Sequence, residues 1–134
     1  MKDIDLVKEA IIAQKNSYSP YYNFSVGSAL ETESGKVIHG CNIECANGTS
    51  NCAERTAIFG AIASGEKNFK KIAIVGGDLS DYCWPCGMCR QVINEFNPEM
   101  EVISGKMVNG KIEIEKVKLT DLLPKAFGPK NLKM

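Results

Sequence analysis

Histidine is almost missing from this chain, one residue in 134, and six cysteines stand out against it. Long apolar runs are missing as well. None approaches the ~18 residues that span a bilayer, which excludes a membrane-spanning helix. Net charge is absent, sixteen Lys and Arg balancing sixteen Asp and Glu. Long polyanionic partners are therefore not expected, because nucleic-acid binding normally uses a cationic surplus to release counterions. Repeats, low-complexity tracts, charge blocks and linkers are also lacking, so residues 1–134 read as one domain. The first ten residues, MKDIDLVKEA, carry acids and no apolar stretch of the kind a secretory signal needs. The expected compartment is thus reducing and cytoplasmic, where disulfides rarely persist. Six cysteines there read as metal ligands, reactive thiols or small core residues.

What remains is ordinary globular composition, 44% hydrophobic and 24% charged. Ile4, Val7, Ile11 and Ile12 fall at helical spacing and predict a helix over 4–13. Pro20 biases its predecessor away from helix, which makes 19–23 a loop. Strands are expected over 24–31 and 36–42 around a Ser34-Gly35 turn. Asn51 is placed to cap a following helix, 52–63, with Glu54 as its capping-box partner. A buried strand over 71–76 precedes Pro85 and a helix over 86–96. Residues 101–107 and 111–117 alternate around Asn109-Gly110, a strong hairpin signal. A short helix broken by Pro124 is expected over 120–126. Five strands interleaved with helices predict an α/β fold, a mixed sheet with helices on its faces.

The chemistry sits in Cys52-Ala53-Glu54 and Pro85-Cys86-Gly87-Met88-Cys89. A C-x-x-C at a helix start brings two sulfurs within reach of one Zn²⁺, and the helix N-terminus favours the thiolate. Cys52, Cys86 and Cys89 together make a three-sulfur site with the fourth tetrahedral position open. Catalytic zinc has that arrangement, whereas structural zinc is usually closed by four ligands. Glu54 stands beside the metal without being an obvious ligand. Coordination lowers the pKa of a water from 15.7 to about 7, and a carboxylate there can carry its proton to a substrate. Three thiolates over-neutralise Zn²⁺ by one charge, which the Arg55 guanidinium would offset, with Arg90 placed to help. Cys41, Cys45 and Cys83 read as small hydrophobes, and His39 as a surface residue.

Cys-Ala-Glu-Arg-Thr at 52–56 and Pro-Cys-x-x-Cys-Arg-Gln at 85–91 resemble the signatures of the small zinc-dependent cytidine deaminases. Ser19-Pro20-Tyr21, Phe24-x-Val26-Gly27, Gly40-Cys41-Asn42-Ile43-Glu44 and Leu122-Leu123-Pro124-x-Ala126-Phe127 extend the resemblance over nearly the whole chain. It implies a three-layer α/β/α fold with a five-stranded mixed sheet. It also implies hydrolytic deamination of cytidine and deoxycytidine in pyrimidine salvage. Cys52, Cys86 and Cys89 would hold one zinc ion and Glu54 would move protons. Phe24 would pack on the pyrimidine, Asn42 and Glu44 would bind the sugar hydroxyls, and the Ala53 N–H would meet the base carbonyl. The resemblance further implies a homotetramer, with Phe127 reaching a neighbour's pocket.

Three departures from that pattern stand out, one being the extra thiols Cys45 and Cys83. Cys45-Ala46-Asn47-Gly48 replaces the family's Asn-Ala-x-Tyr in a loop one residue shorter, and Trp84 replaces a small polar residue before Pro85. Three other readings compete. One is an aminonucleoside deaminase resembling blasticidin-S deaminase, although Asn42 with Glu44 favours plain cytidine. Another is a thioredoxin-like redox protein built on Cys86 and Cys89, whose motif lies late in the chain for that fold. The third is a structural zinc module closed by Cys45 or Cys83.

Overall fold

The structure, a computed structural model, describes residues 1–132. Lys133 and Met134, the end of the expected 1–134 domain, lie outside the described residues. The elements run α1 (Asp3–Gln14), β1 (Val26–Thr32), β2 (Val37–Cys41), α2 (Ala53–Ala63), β3 (Phe69–Gly76), α3 (Gly87–Phe96), β4 (Glu101–Val108), β5 (Lys111–Lys118) and α4 (Leu119–Leu122). A 3₁₀ turn, Pro129–Leu132, follows. The sheet order is β2-β1-β3-β4-β5, with β3 and β4 parallel and the other pairs antiparallel. At the β4–β5 hairpin both Asn109 and Gly110 have positive φ, 51° and 76°, as a tight two-residue turn requires.

Strand alternation divides the core in two. Leu30, Ile72, Ile74 and Val102 point to one face, where Ala57, Ile58 and Ala61 of α2, Ile93 of α3 and Leu119 of α4 cover them. Ala29, Ala73, Val75 and Ile103 point to the other, against Leu6, Val7 and Ala10 of α1. The result is three layers, α/β/α, with one helix on one face and three on the other.

Helix α1 corrects the sequence-based stripe. Its buried face is Leu6, Val7, Ala10 and Ala13, while Ile4 and Ile12 are exposed. The cause is close packing on a glycine: a Cβ at Gly27 would lie 2.2 Å from the Ala10 carbonyl oxygen. A helix that near to strand backbone accepts alanine at the contact and turns Ile4 and Ile12 aside, while Ile11 packs at the core's edge. Strand β1 starts at Val26, two residues later than expected, because Asn23 adopts φ 55° and keeps Phe24 in the loop. The C-terminal helix is a single turn, Leu119–Leu122, and does not resume after the expected break at Pro124.

Antiparallel pairing gathers the site at one end of the sheet. Gly27 pairs with Cys41 and Val26 with Gly76, so the start of β1 meets the ends of β2 and β3. Helix α2 is brought to that end by Gly40, where a Cβ would fall 2.2 Å from the Ala53 carbonyl oxygen and 2.8 Å from the Ala57 nitrogen. The Ser28 hydroxyl donates to the same Ala53 carbonyl at 2.8 Å. Because backbone, not a flexible side chain, fills the space, Gly40→Ala is expected to cost about 3 kcal/mol or more. Urea denaturation checks this, and a midpoint equal to that of the wild type would show that α2 does not rest on β2 as described.

Candidate active site

Cys52 is the residue at which α2 begins, and Cys86 has the same position for α3. Both have extended backbone and neither caps its helix through the side chain, so both thiols are left for other partners. The expected capping box is not formed: the Asn51 amide donates instead to the Thr56 hydroxyl at 3.3 Å. Cys89 lies in the first turn of α3 and is fully buried. The three sulfurs lie within 4.8 Å of one another, with Cys52 Sγ and Cys86 Sγ 3.6 Å apart. Tetrahedral zinc with bonds of about 2.3 Å needs sulfurs about 3.8 Å apart. The donor set and its spacing fit that ion. Among the described residues Cys45 and Cys83 are not part of this sulfur group, so neither closes a four-sulfur structural site.

Electrostatics favour one thiolate in the sulfur group, at Cys52. The neighbouring Cys89 thiol lowers the Cys52 pKa to about 5 against partial burial, with Arg55 and Cys86 adding to the effect. The neighbouring Cys52 and burial hold the Cys89 thiol well above the ordinary range. The Arg55 guanidinium donates to Cys52 Sγ at 3.2 Å, so the expected charge compensation has its geometry. Arg90 turns elsewhere, to the carbonyls of Pro85 at 2.7 Å and Leu122 at 3.0 Å. It fixes the segment before α3 instead of facing the sulfurs.

One cavity of about 210 Å³ is lined by Val26, Asn42, Cys52, Ala53, Glu54, Cys83, Trp84 and Cys86. Five of the residues singled out from sequence, Asn42, Cys52, Ala53, Glu54 and Cys86, thus share one hollow. Glu54 is only 3% exposed. Burial pushes its carboxyl up to about 7; its own N–H works against this, the Cys52 thiolate adds to the rise and Arg55 opposes it. A carboxyl that gains and loses a proton near neutrality, beside a metal site, is suited to acid–base work. A larger hollow, about 310 Å³, lies between α3 and the C-terminal segment and contains none of the cysteines.

Asn42 is held rigidly. Its Oδ1 accepts from the Val26 N–H at 2.8 Å and from the Ser17 hydroxyl, and its Nδ2 donates to the Phe24 carbonyl at 2.8 Å. Glu44 lies under the loop, its Oε1 accepting from the N–H groups of Tyr21 at 2.8 Å and Tyr22 at 3.3 Å, and it lines a second hollow with both tyrosines. Phe24 does not line the cavity. Its ring lies across Gly76 and Gly77, close enough that a Cβ on Gly77 would stand 2.7 Å from it. Phe127 is exposed, and its carbonyl accepts from Gln91 and Asn94. Ser17 carries no signal of a site role in sequence, whereas Val26 belongs to the Phe24-x-Val26-Gly27 match and lines the cavity. Cys83, read as incidental, forms part of the wall, and burial raises its thiol to about 11.

The chain matches a family described as the cytidine and deoxycytidylate deaminase zinc-binding region over residues 1–105, which include all three sulfurs. A cytidine deaminase from Sporosarcina psychrophila is 45% identical over 129 residues, covering 95% of this chain and 92% of the relative. A blasticidin-S deaminase from Bacillus cereus is 36% identical over 99 residues, 66% of this chain and 71% of the relative. The crystal structure of cytidine deaminase from Burkholderia pseudomallei is 44% identical and covers 95% of this chain and 100% of that one, with a TM-score of 0.84. Fold, sulfur group and matched sequence converge, and the chain belongs to the cytidine and deoxycytidylate deaminase zinc-binding family.

Proposed function

We propose that this protein is a zinc-dependent cytidine deaminase. It takes cytidine or deoxycytidine and one water, and releases uridine or deoxyuridine and ammonia, a step in pyrimidine salvage. The observation that carries this reading is the buried Glu54 carboxyl in the same cavity as the sulfurs of Cys52 and Cys86. Cys52, Cys86 and Cys89 would hold zinc, whose chemistry there would be to make a water acidic near neutral pH. Glu54 accepts a proton at its carboxylate and returns it to the substrate, so that the amine departs as ammonia. The Ala53 N–H, in the first turn of α2 and without a partner within the helix, donates to the base carbonyl.

Asn42 reads the sugar as a donor. Its oxygen is already taken, and one of its two amide hydrogens goes to Phe24, so one N–H remains. Glu44 has Oε2 left to accept from a sugar hydroxyl. Such a site rejects free cytosine, which leaves both groups unpaired. Phe24 would flank the base from beyond Cys83. The balanced charge suits a neutral nucleoside better than a nucleotide.

The assembly we propose is a homotetramer. Support comes from apolar side chains exposed on the single chain, Phe59, Met88 and Phe127 among them; in this assembly Phe127 would reach a neighbour's cavity. One sheet with both cores built on it supports a single domain over 1–134. Six unpaired thiols support a reducing, cytoplasmic setting.

An absorbance assay on a substrate panel tests this reading. Cytidine and deoxycytidine are expected to turn over, with free cytosine at least about 100-fold slower and CMP and blasticidin S poor. Faster turnover of blasticidin S than of cytidine would transfer the assignment to aminonucleosides.

A further inference from the structure

The cavity wall contains the chain's only tryptophan. Val26 and Asn42 line it from the β1–β2 side, and Cys52, Ala53 and Glu54 from α2; Cys83, Trp84 and Cys86 make up the remaining wall. Trp84 stands two residues before a metal-site sulfur. Trp84 thus shares one hollow with Glu54, Cys52 and Cys86.

The wall is fixed at both ends. The Cys83 N–H donates to Ser104 Oγ at 2.9 Å, and the Ser104 hydroxyl donates back to the Cys83 carbonyl at 2.9 Å. Arg90 Nε donates to the Pro85 carbonyl at 2.7 Å. Between these anchors the half-buried indole packs on the core and tilts against Tyr82, ring centroids 6.1 Å apart. Lys106 Nζ covers Tyr82 at 4.7 Å from its centroid. The backbone on either side of the indole is thereby held in place.

We propose that Trp84 is a specificity-determining residue that closes the metal end of the cavity to substituents on the reacting amine. The inference rests on the deaminase reading and adds to it a limit on the leaving group. Hydrolysis of N4-methylcytidine forms uridine and methylamine, and the extra methyl must occupy space held by the indole. A methyl group pressed against a rigid wall is worth roughly 10- to 100-fold in rate.

The test compares kcat/KM for N4-methylcytidine and cytidine in zinc-loaded wild type, Trp84→Phe and Trp84→Ser. The ratio is expected to rise at least about tenfold in the serine variant and less in the phenylalanine variant, which retains most of the packing. A second reading needs no substitution: saturating uridine is expected to change the fluorescence of the single tryptophan in the wild-type protein. A ratio within about twofold of wild type in both zinc-loaded variants, or unchanged fluorescence, overturns the inference. Cytidine turnover with an unmoved ratio overturns it alone, whereas absence of cytidine turnover overturns the functional reading beneath it.

Discussion

Glu54→Gln is expected to keep its zinc and its fold while losing cytidine turnover by about 10²- to 10⁴-fold, the usual contribution of a positioned acid–base group. The amide preserves the shape of a side chain that is 3% exposed, so packing is retained and only proton transfer is lost. The same substitution is expected to stabilise the metal-free protein. Folding raises the Glu54 pKa from 4.5 to about 7. The folded state therefore prefers the protonated carboxyl. Below the unfolded pKa there is no penalty; as pH rises from 4.5 to about 7, stability falls, and above that the loss is complete. A shift of that size corresponds to about 3 kcal/mol. Metal-free Glu54→Gln should thus exceed metal-free wild type by about 1–3 kcal/mol at pH 8, with the difference closing toward pH 4. Chemical denaturation at the two pH values measures this. Equal stability at pH 8 would show that the carboxyl is not strained by burial.

The second large effect is expected from Cys86→Ala. Cys86 is exposed and lies at the junction with α3, so removing its sulfur takes little from the core. Loss of one of three sulfurs leaves Cys52 and Cys89, too few to hold the ion against water and chelators. Zinc content should fall far below one per chain and cytidine turnover to background. Added zinc should raise the melting temperature of the wild type and leave that of the variant unchanged, because binding to the folded state is itself folding free energy. Full zinc retention by Cys86→Ala, measured by metal analysis after dialysis, would remove Cys86 from the ligand set. The paired variants separate two roles: Glu54→Gln loses chemistry with metal kept, Cys86→Ala loses both.

The parts of this molecule legible in sequence are those fixed by short-range rules. Cys52, Glu54, Cys86 and Cys89 announce themselves through spacing, because each pair lies within one helix turn of its own helix start. Asn109-Gly110 identifies its hairpin because positive φ is needed at both positions. The elements that escaped prediction depend on distant partners. Nothing near Ser17 indicates that it donates to Asn42, 25 residues away. The burial of Glu54, which brings its pKa near neutrality, arises from α2 lying on Gly40 and is absent from any local pattern. The α1 stripe misleads for the same reason: hydrophobicity ranks isoleucine over alanine, while contact with Gly27 requires the smaller residue. Arg90 follows Cys89 in sequence, yet its guanidinium serves the backbone of Pro85 and Leu122.

The measurement that bears most directly on the whole account is cytidine hydrolysis by protein of known zinc content, with uridine and ammonia quantified together. The account predicts one ammonia for each uridine, a rate proportional to zinc occupancy up to one ion per chain, loss of activity on chelation and recovery when zinc is returned. Folded, zinc-replete protein that releases neither product from cytidine or deoxycytidine, or a rate unaffected by removal of the zinc, would contradict it.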